Sequence, residues 1–207
     1  MLNNRFISFE GIDGSGKTTQ IEILKERLSS KGYKVIVLRE PGGTLISEKI
    51  RKILLAKENS DLSNEAESLL FFASRNQLMR EKIIPHLEEG CFVICDRFND
   101  STIAYQGYGF GMDINNLETI SNFATINKEP DITFFLDISV SLSLNRRNNI
   151  ENDRIESKGA QYLEKVRQGF LSISNSQPDR IVTIDASLNI DNIRDMIWSR
   201  IKEKYEI

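Results

Sequence analysis

The 207-residue chain has little of what oxidised, membrane-spanning or nucleic-acid-coating proteins depend on. Its only cysteines, Cys91 and Cys95, stand four apart in an apolar run. On a strand they would lie about 13 Å apart at roughly 3.3 Å per residue, beyond disulfide reach. Their spacing also differs from the Cys-x-x-Cys of zinc and redox sites, so both read as ordinary buried thiols. The single histidine, His86, follows Pro85 late in a helical stretch and is assigned no role. The single tryptophan, Trp198, reads as packing on the last helix. No apolar run approaches the roughly 18 residues of a spanning helix. Met1–Phe6 lacks the apolar core of a secretory signal, and the expectation is a cytoplasmic chain with no membrane partner. Positive charge is not in excess either. Lysine plus arginine number 27 against 30 aspartate plus glutamate, for a net charge of −3. That balance argues against a nucleic-acid partner but leaves room for small anionic ligands, which need only a few placed cations.

Hydrophobic residues make up 40% of the chain, enough for a core and too much for a disordered chain. The length fits a single domain over residues 1–207 carrying at most a small mobile insertion. Neither an internal repeat nor a low-complexity tract is present. Short runs rich in Ile, Val and Phe predict strands at Arg5–Phe9, Lys34–Leu38, Cys91–Cys95, Asp131–Asp137 and Ile181–Asp185. Helices are predicted over Lys17–Lys31, Thr44–Lys57, Asn64–Glu89, Asp113–Asn127, Val140–Asn148, Ala160–Asn175 and Ile190–Tyr205. Gly32 and Gly90 supply stop signals, and Ser63 followed by Glu65 and Glu67 supplies a start. Apolar strands alternating with helices predict an α/β fold, a doubly wound five-stranded parallel sheet with flanking helices and its site at the carboxyl ends of the strands. One stretch departs from this pattern. Arg146–Ser157 carries three arginines and three acids between two helices, and from its residues alone it is either a solvated loop or something mobile.

Gly11-Ile12-Asp13-Gly14-Ser15-Gly16-Lys17-Thr18 matches G-x-x-x-x-G-K-[ST] between a predicted strand and a predicted helix. The glycines let successive backbone N–H groups turn toward one anion. The helix that begins at Lys17 adds its positive end. Lys17 brings charge to the β- and γ-phosphates, and the Thr18 hydroxyl is a Mg²⁺ ligand. A nucleoside triphosphate, ATP foremost, is therefore the expected ligand of a P-loop NTPase-type sheet. The Asn-Lys-x-Asp base-reading segment of switch GTPases is absent: Asn127-Lys128 is followed by Glu129-Pro130.

A phosphate loop does not name the acceptor. Further charge, glycine and aromatic residues cluster at predicted strand ends, in Arg39–Thr44, Asp96–Phe98 and the loop Ser101–Gly107. Phe71 and Arg75 are four apart on one helix face, where a ring and a guanidinium can together read a base. Taken as single residues, Phe71 and Phe72 are more often core than ligand-stacking rings. Asp96 is placed near Mg²⁺, with Asp137 as its competitor, and Arg97 is placed on an acceptor phosphate. Asp13 should project toward the transferred group.

Taken in order, Gly11–Thr18, Arg39–Gly43, Phe71-x-x-x-Arg75, Asp96-Arg97, Ser101 with Tyr105-Gln106-Gly107, and Asp153-Arg154-Ile155-Glu156 resemble bacterial thymidylate kinases, over about residues 6 to 190. The resemblance implies phosphoryl transfer from ATP to dTMP with Mg²⁺, and a homodimer. It implies that Phe71 stacks on thymine, Arg75 contacts a thymine carbonyl, and Ser101 and Thr102 lie beside the base, with Gln106 in the same substrate-binding group. By the same likeness Tyr105 crowds the sugar 2′ position, Arg97 holds the acceptor phosphate, and Glu40, Pro41 and Gly42 form the turn beside it. The family places its catalytic arginine either at the position of Gly14 or in a lid. With Gly14 here, the resemblance implies a lid over about residues 146–157, Arg154 as the catalytic arginine and Arg146 beside the adenine. The alternatives are another nucleoside or nucleotide kinase, whose hydroxyl acceptor would need a carboxylate base, and a non-catalytic ATP-gated switch.

Overall fold

A computed structural model describes residues 5–147 and 154–207. Five parallel strands form one sheet in the order β2-β3-β1-β4-β5, with β1 at Phe6–Glu10, β2 at Val35–Arg39, β3 at Phe92–Asp96, β4 at Ile132–Asp137 and β5 at Ile181–Asp185. The central β1 is buried at every position, and β4 is buried except at its last residue. Such strands are apolar on both faces because helices cover both.

The helices are α1 (Lys17–Ser30), α2 (Leu45–Leu55), α3 (Asn64–Leu78), α4 (Ile84–Glu88), α5 (Asn99–Thr102), α6 (Ile114–Thr125), α7 (Val140–Arg146), α8 (Ala160–Ser176) and α9 (Ile190–Tyr205). Side chains alternate across the sheet. Phe6, Leu38, Val93 and Cys95 pack with Leu78, Met79 and Ile83 in one cluster. Ile7, Phe9, Phe92 and Ile94 belong to the larger cluster, with Ile21 and Leu24 of α1 and Ile197 and Ile201 of α9. Both cysteines are free and buried, and Trp198 packs in this larger core with Arg27 over its ring.

The first four strands were expected to begin one residue earlier, and three of those expectations also stopped one residue short. β1, β2 and β3 run on into Glu10, Arg39 and Asp96, so each carries a charged residue to the carboxyl edge of the sheet. Two expected elements differ more. Asn64–Glu89 is not one α-helix. The chain passes from α3 through a π turn at Met79–Ile83 into α4, whose first turn contains Pro85. Proline has no N–H to donate and its ring clashes with the carbonyl four residues back, so uninterrupted α pairing cannot pass it.

The second correction concerns Ser101–Gly107, expected as a loop. It is helical: α5 continues into a π turn at Ile103–Gly109. Its side chains are turned inward, and glycine lets neighbours close in. A Cβ at Gly109 would stand 2.6 Å from the Tyr162 ring. Asp100 of α5 makes a two-pronged ion pair with Arg180, which also donates to Thr133 on β4. This anchors the α5 turn to the sheet. Of the expected lid, residues 148–153 lie outside the described residues, as does the end of the expected helix Val140–Asn148.

Candidate active site

The phosphate loop follows β1 directly. Gly11 has φ 135°, and a Cβ there would meet the Leu136 carbonyl at 2.6 Å. Gly16 caps α1 in the left-handed region. Lys17 arches back over the loop, donating to the carbonyls of Gly11 (2.9 Å) and Ile12 (3.3 Å), with its ammonium 3.7 Å from the Asp13 carboxylate. Ile12 belongs to the core, and the Ser15 hydroxyl is buried without a partner among the described residues. The Thr18 hydroxyl donates to Asp96 across 3.3 Å. Asp137, the competing carboxylate, is held by Arg167 at 2.7 and 2.9 Å. Asp96, and not Asp137, therefore stands beside Thr18.

α7 roofs the loop. Ser143 donates to the Asp13 carbonyl at 2.6 Å and Arg146 to the Gly14 carbonyl at 3.3 Å. A Cβ at Gly14 would sit 2.8 Å from the Ser143 carbonyl and 3.3 Å from Arg147. A side chain at position 14 would therefore have to push the Ser143 backbone aside.

A cavity of about 570 Å³ opens from this loop toward the carboxyl edge of the sheet, within the usual range for small-molecule sites. Most expected site residues line it: Asp13, Gly14, Gly16, Lys17 and Thr18 on one side, Glu40, Pro41, Phe71 and Arg75 on another, and Asp96, Arg97, Ser101, Thr102, Tyr105 and Gln106 along the α5 turn, with Arg146 at the rim. Phe71 lines the cavity and also packs against the edge of the core, whereas Phe72 is buried within the core. Gly11, Ile12, Ser15 and Gly42 shape the backbone and do not line the cavity. Gly42 belongs to a turn closed by Glu48, which accepts from the Gly43 N–H and Arg39; a Cβ at Gly42 would strike that carboxylate.

Arg97 is the hub. It sits at φ 73°, in the left-handed region. Its guanidinium donates to the carboxylate of Asp13, to Ser101 Oγ at 3.2 Å and to the Tyr105 hydroxyl at 3.2 Å, and it lies 5.1 Å from the Tyr105 ring centroid. Arg75 is buried and largely committed. Nε and Nη2 hold Glu40 at 2.7 and 2.6 Å, Nη2 also reaches the Phe98 carbonyl at 2.9 Å, and Nη1 reaches Asn99 at 3.4 Å. The Thr102 hydroxyl is buried and unpartnered among the described residues.

The charges tune one another. Burial works to raise the Asp13 carboxyl, but Arg97 and Lys17 outweigh it and hold Asp13 well below its ordinary value. Burial and the neighbouring Arg97 lower the Lys17 ammonium, against Asp13, Asp96 and Glu10. Burial, then Asp100, pushes the Glu10 carboxyl up to about 7 despite hydrogen bonds from Ser101 and Phe98.

Arg154 is not brought to the cavity. Its guanidinium is buried against Glu67 (2.5 Å) and the Leu54 carbonyl (2.9 Å). Glu67 in turn accepts from Gln106 at 2.8 Å. Arg147 lines the cavity instead, as do Arg39 of the expected strand-end group and Arg51 and Leu55, the last two left out of the site by sequence reasoning. Arg51 and Leu55 are four apart on α2, the same one-face spacing that singled out Phe71 and Arg75.

A family model described as thymidylate kinase matches residues 9–197. The chain is 48% identical over 188 residues to the thymidylate kinase of Thermosipho africanus, covering 91% of this chain and 92% of that one. It is 43% identical over 202 residues to the thymidylate kinase of Thermoanaerobacter sp. (strain X514), covering 98% and 99%. In three dimensions it is similar to the crystal structure of thymidylate kinase from Ehrlichia chaffeensis, with a TM-score of 0.78 and 36% identity over 95% of this chain and 97% of that one. These likenesses span the phosphate loop, Arg97 and the helix α3 that carries Phe71 and Arg75, and the chain belongs to the thymidylate kinase family.

Proposed function

We propose that this chain moves the γ-phosphoryl group of ATP onto the phosphate of dTMP, giving dTDP and ADP. The observation that carries this reading is the cavity that the phosphate loop and Arg97 share with Phe71 and Arg75. A ring, two guanidiniums and a phosphate loop around one cavity suit a base, a sugar and two phosphate groups.

The chemistry asks little of the protein beyond placement. The second pKa of a phosphate monoester is about 6, so at neutral pH the acceptor oxygen is already a dianionic nucleophile and no general base is needed. Two polyanions must still be brought in line and their charge neutralised as the phosphoryl group moves. Lys17 meets the donor phosphates and Arg97 the acceptor phosphate. Asp13, held charged by those two cations, keeps both side chains aimed across the gap.

Among the described residues no group of three or more His, Cys, Asp or Glu could hold a metal. Thr18 and Asp96 offer two hard oxygens instead, the sparse protein set that suits Mg²⁺ carried on nucleotide phosphates. When bound there it would neutralise charge on the β- and γ-phosphates.

Arg147 lines the cavity beside Gly14, and we assign it to the transferring group. Arg154, tied to Glu67, anchors the end of the lid segment to α2 and α3. The two-chain assembly rests on a separate feature. Leu45, Ile46 and Ile53 of α2, Leu69 of α3 and Phe123 of α6 are exposed, Leu45 and Phe123 by 77% and 84%, on three helices that pack side by side. An apolar face of this kind suits a second copy of the chain. No helix among the described residues is long and apolar enough to cross a membrane, and we place the enzyme in the cytoplasm with its nucleotides.

Three outcomes follow. In a coupled ADP-release assay with ATP, Mg²⁺ and a panel of acceptors, dTMP gives the fastest turnover and thymidine gives none; release with thymidine, or release independent of acceptor, contradicts the reading. Arg147→Ala lowers kcat by about a hundredfold or more, in the range of supplied arginines, whereas Arg154→Ala chiefly lowers thermal stability, by about 3 kcal/mol for a broken buried pair. The opposite pattern in the two variants would restore Arg154 to the chemistry. Sedimentation gives the mass of two chains, and Phe123→Glu shifts it toward one; a wild-type monomer removes the dimer.

A further inference from the structure

Glu10 ends β1, yet its side chain points into the protein and not into the phosphate loop that follows it. It is completely buried. One carboxylate oxygen accepts the Phe98 N–H at 2.7 Å, and the other accepts the Ser101 hydroxyl at 2.5 Å. These partners lie one residue and four residues beyond Arg97.

Arg97 needs such support. A non-glycine residue at positive φ costs roughly 1–2 kcal/mol, and left alone the elbow would relax and carry the guanidinium away from Asp13. Three hydrogen bonds oppose this. The Arg97 N–H is held by the Phe9 carbonyl at 2.9 Å, the Phe98 N–H by Glu10, and the Phe98 carbonyl by Arg75 at 2.9 Å. The side chain is fixed as well. Ser101 has one proton to give, and Glu10 takes it, so the hydroxyl turns its lone pairs toward Arg97 Nη1 at 3.2 Å. The direction of the chain, Arg97 to Ser101 to Glu10, requires both oxygens of Glu10 to accept and neither to donate.

Resting on the reading of Arg97 as the acceptor-phosphate ligand, we infer that Glu10 is a positioning residue for catalysis: it fixes the Arg97 elbow and orders Ser101, and so sets affinity for the phosphate of the acceptor without touching the acceptor itself. A glutamine at this position can still accept from Phe98, but its NH₂ then faces Ser101. The serine proton is displaced toward Arg97, donor against donor, and the guanidinium loses that partner.

The experiment compares dTMP with thymidine, which has the same base and sugar and no phosphate. Calorimetric titrations are run at pH 8, above the value of about 7 to which burial pushes Glu10, so that the wild-type carboxylate is charged. Glu10→Gln is expected to weaken dTMP binding about tenfold and to leave thymidine within about twofold, the size of one charge-assisted hydrogen bond. In an Arg97→Ala background the same change should move dTMP affinity by less than about twofold, since the two act on one contact. Glu10→Asp keeps an acceptor-only group one methylene back and should fall between wild type and Glu10→Gln. Equal weakening of dTMP and thymidine, or full additivity with Arg97→Ala, overturns the inference. So does failure of both Glu10 variants to fold, checked by circular dichroism, because Glu10 would then be structural. A wild-type protein that binds dTMP no more tightly than thymidine overturns the acceptor reading and this inference with it, and is told apart by needing no variant.

Discussion

The guanidinium of Arg97 lies against the carboxylate of Asp13, and through that contact the elbow after β3 is joined to the phosphate loop after β1. The two strands are neighbours in the sheet, with Phe9 level with Asp96. A site for two anions needs cations on both sides of a gap and something negative between them to stop the cations repelling each other apart. Asp13 is that negative group, with Lys17 on one side and Arg97 on the other. Its carboxyl stays charged because those neighbours outweigh the cost of burial.

Around this contact the rest of the site is fastened. Arg75 and Glu40 clamp the elbow from the α3 side, Glu10 from beneath, and Arg180 with Asp100 ties the α5 turn to β4. α7 lies close over Gly14. An added side chain at Gly14 would have to displace the Ser143 backbone, and Arg146 and Arg147 at the end of α7 are the arginines that face the loop.

Much of this was legible in the sequence, because its signals are local. The glycine spacing of residues 11–18 is a backbone requirement written directly in residue types, and the alternation of apolar runs with helices dictates a parallel sheet. Phe71 and Arg75 share a face by helix geometry alone. What escaped depends on packing between distant segments. Ser101–Gly107 looked like a loop because glycine and serine flank it, whereas its inward-facing Ile103, Ala104 and Tyr105 make it helical once α8 closes over it. Arg154 was assigned to the chemistry on resemblance; its pairing with Glu67, 87 positions earlier, leaves no local trace. Glu10 was unread for the same reason, since its partners are 88 and 91 residues away.

The central claim is that Arg97 marks the acceptor phosphate, facing the phosphate loop across one cavity. Equilibrium binding of dTMP and of ATP to Arg97→Ala tests it most directly. The account predicts that dTMP affinity falls to that of thymidine while ATP affinity changes by less than about threefold, the small change expected away from the altered contact. Retention of wild-type dTMP affinity, or a loss of ATP binding as large as the loss of dTMP binding, would contradict it.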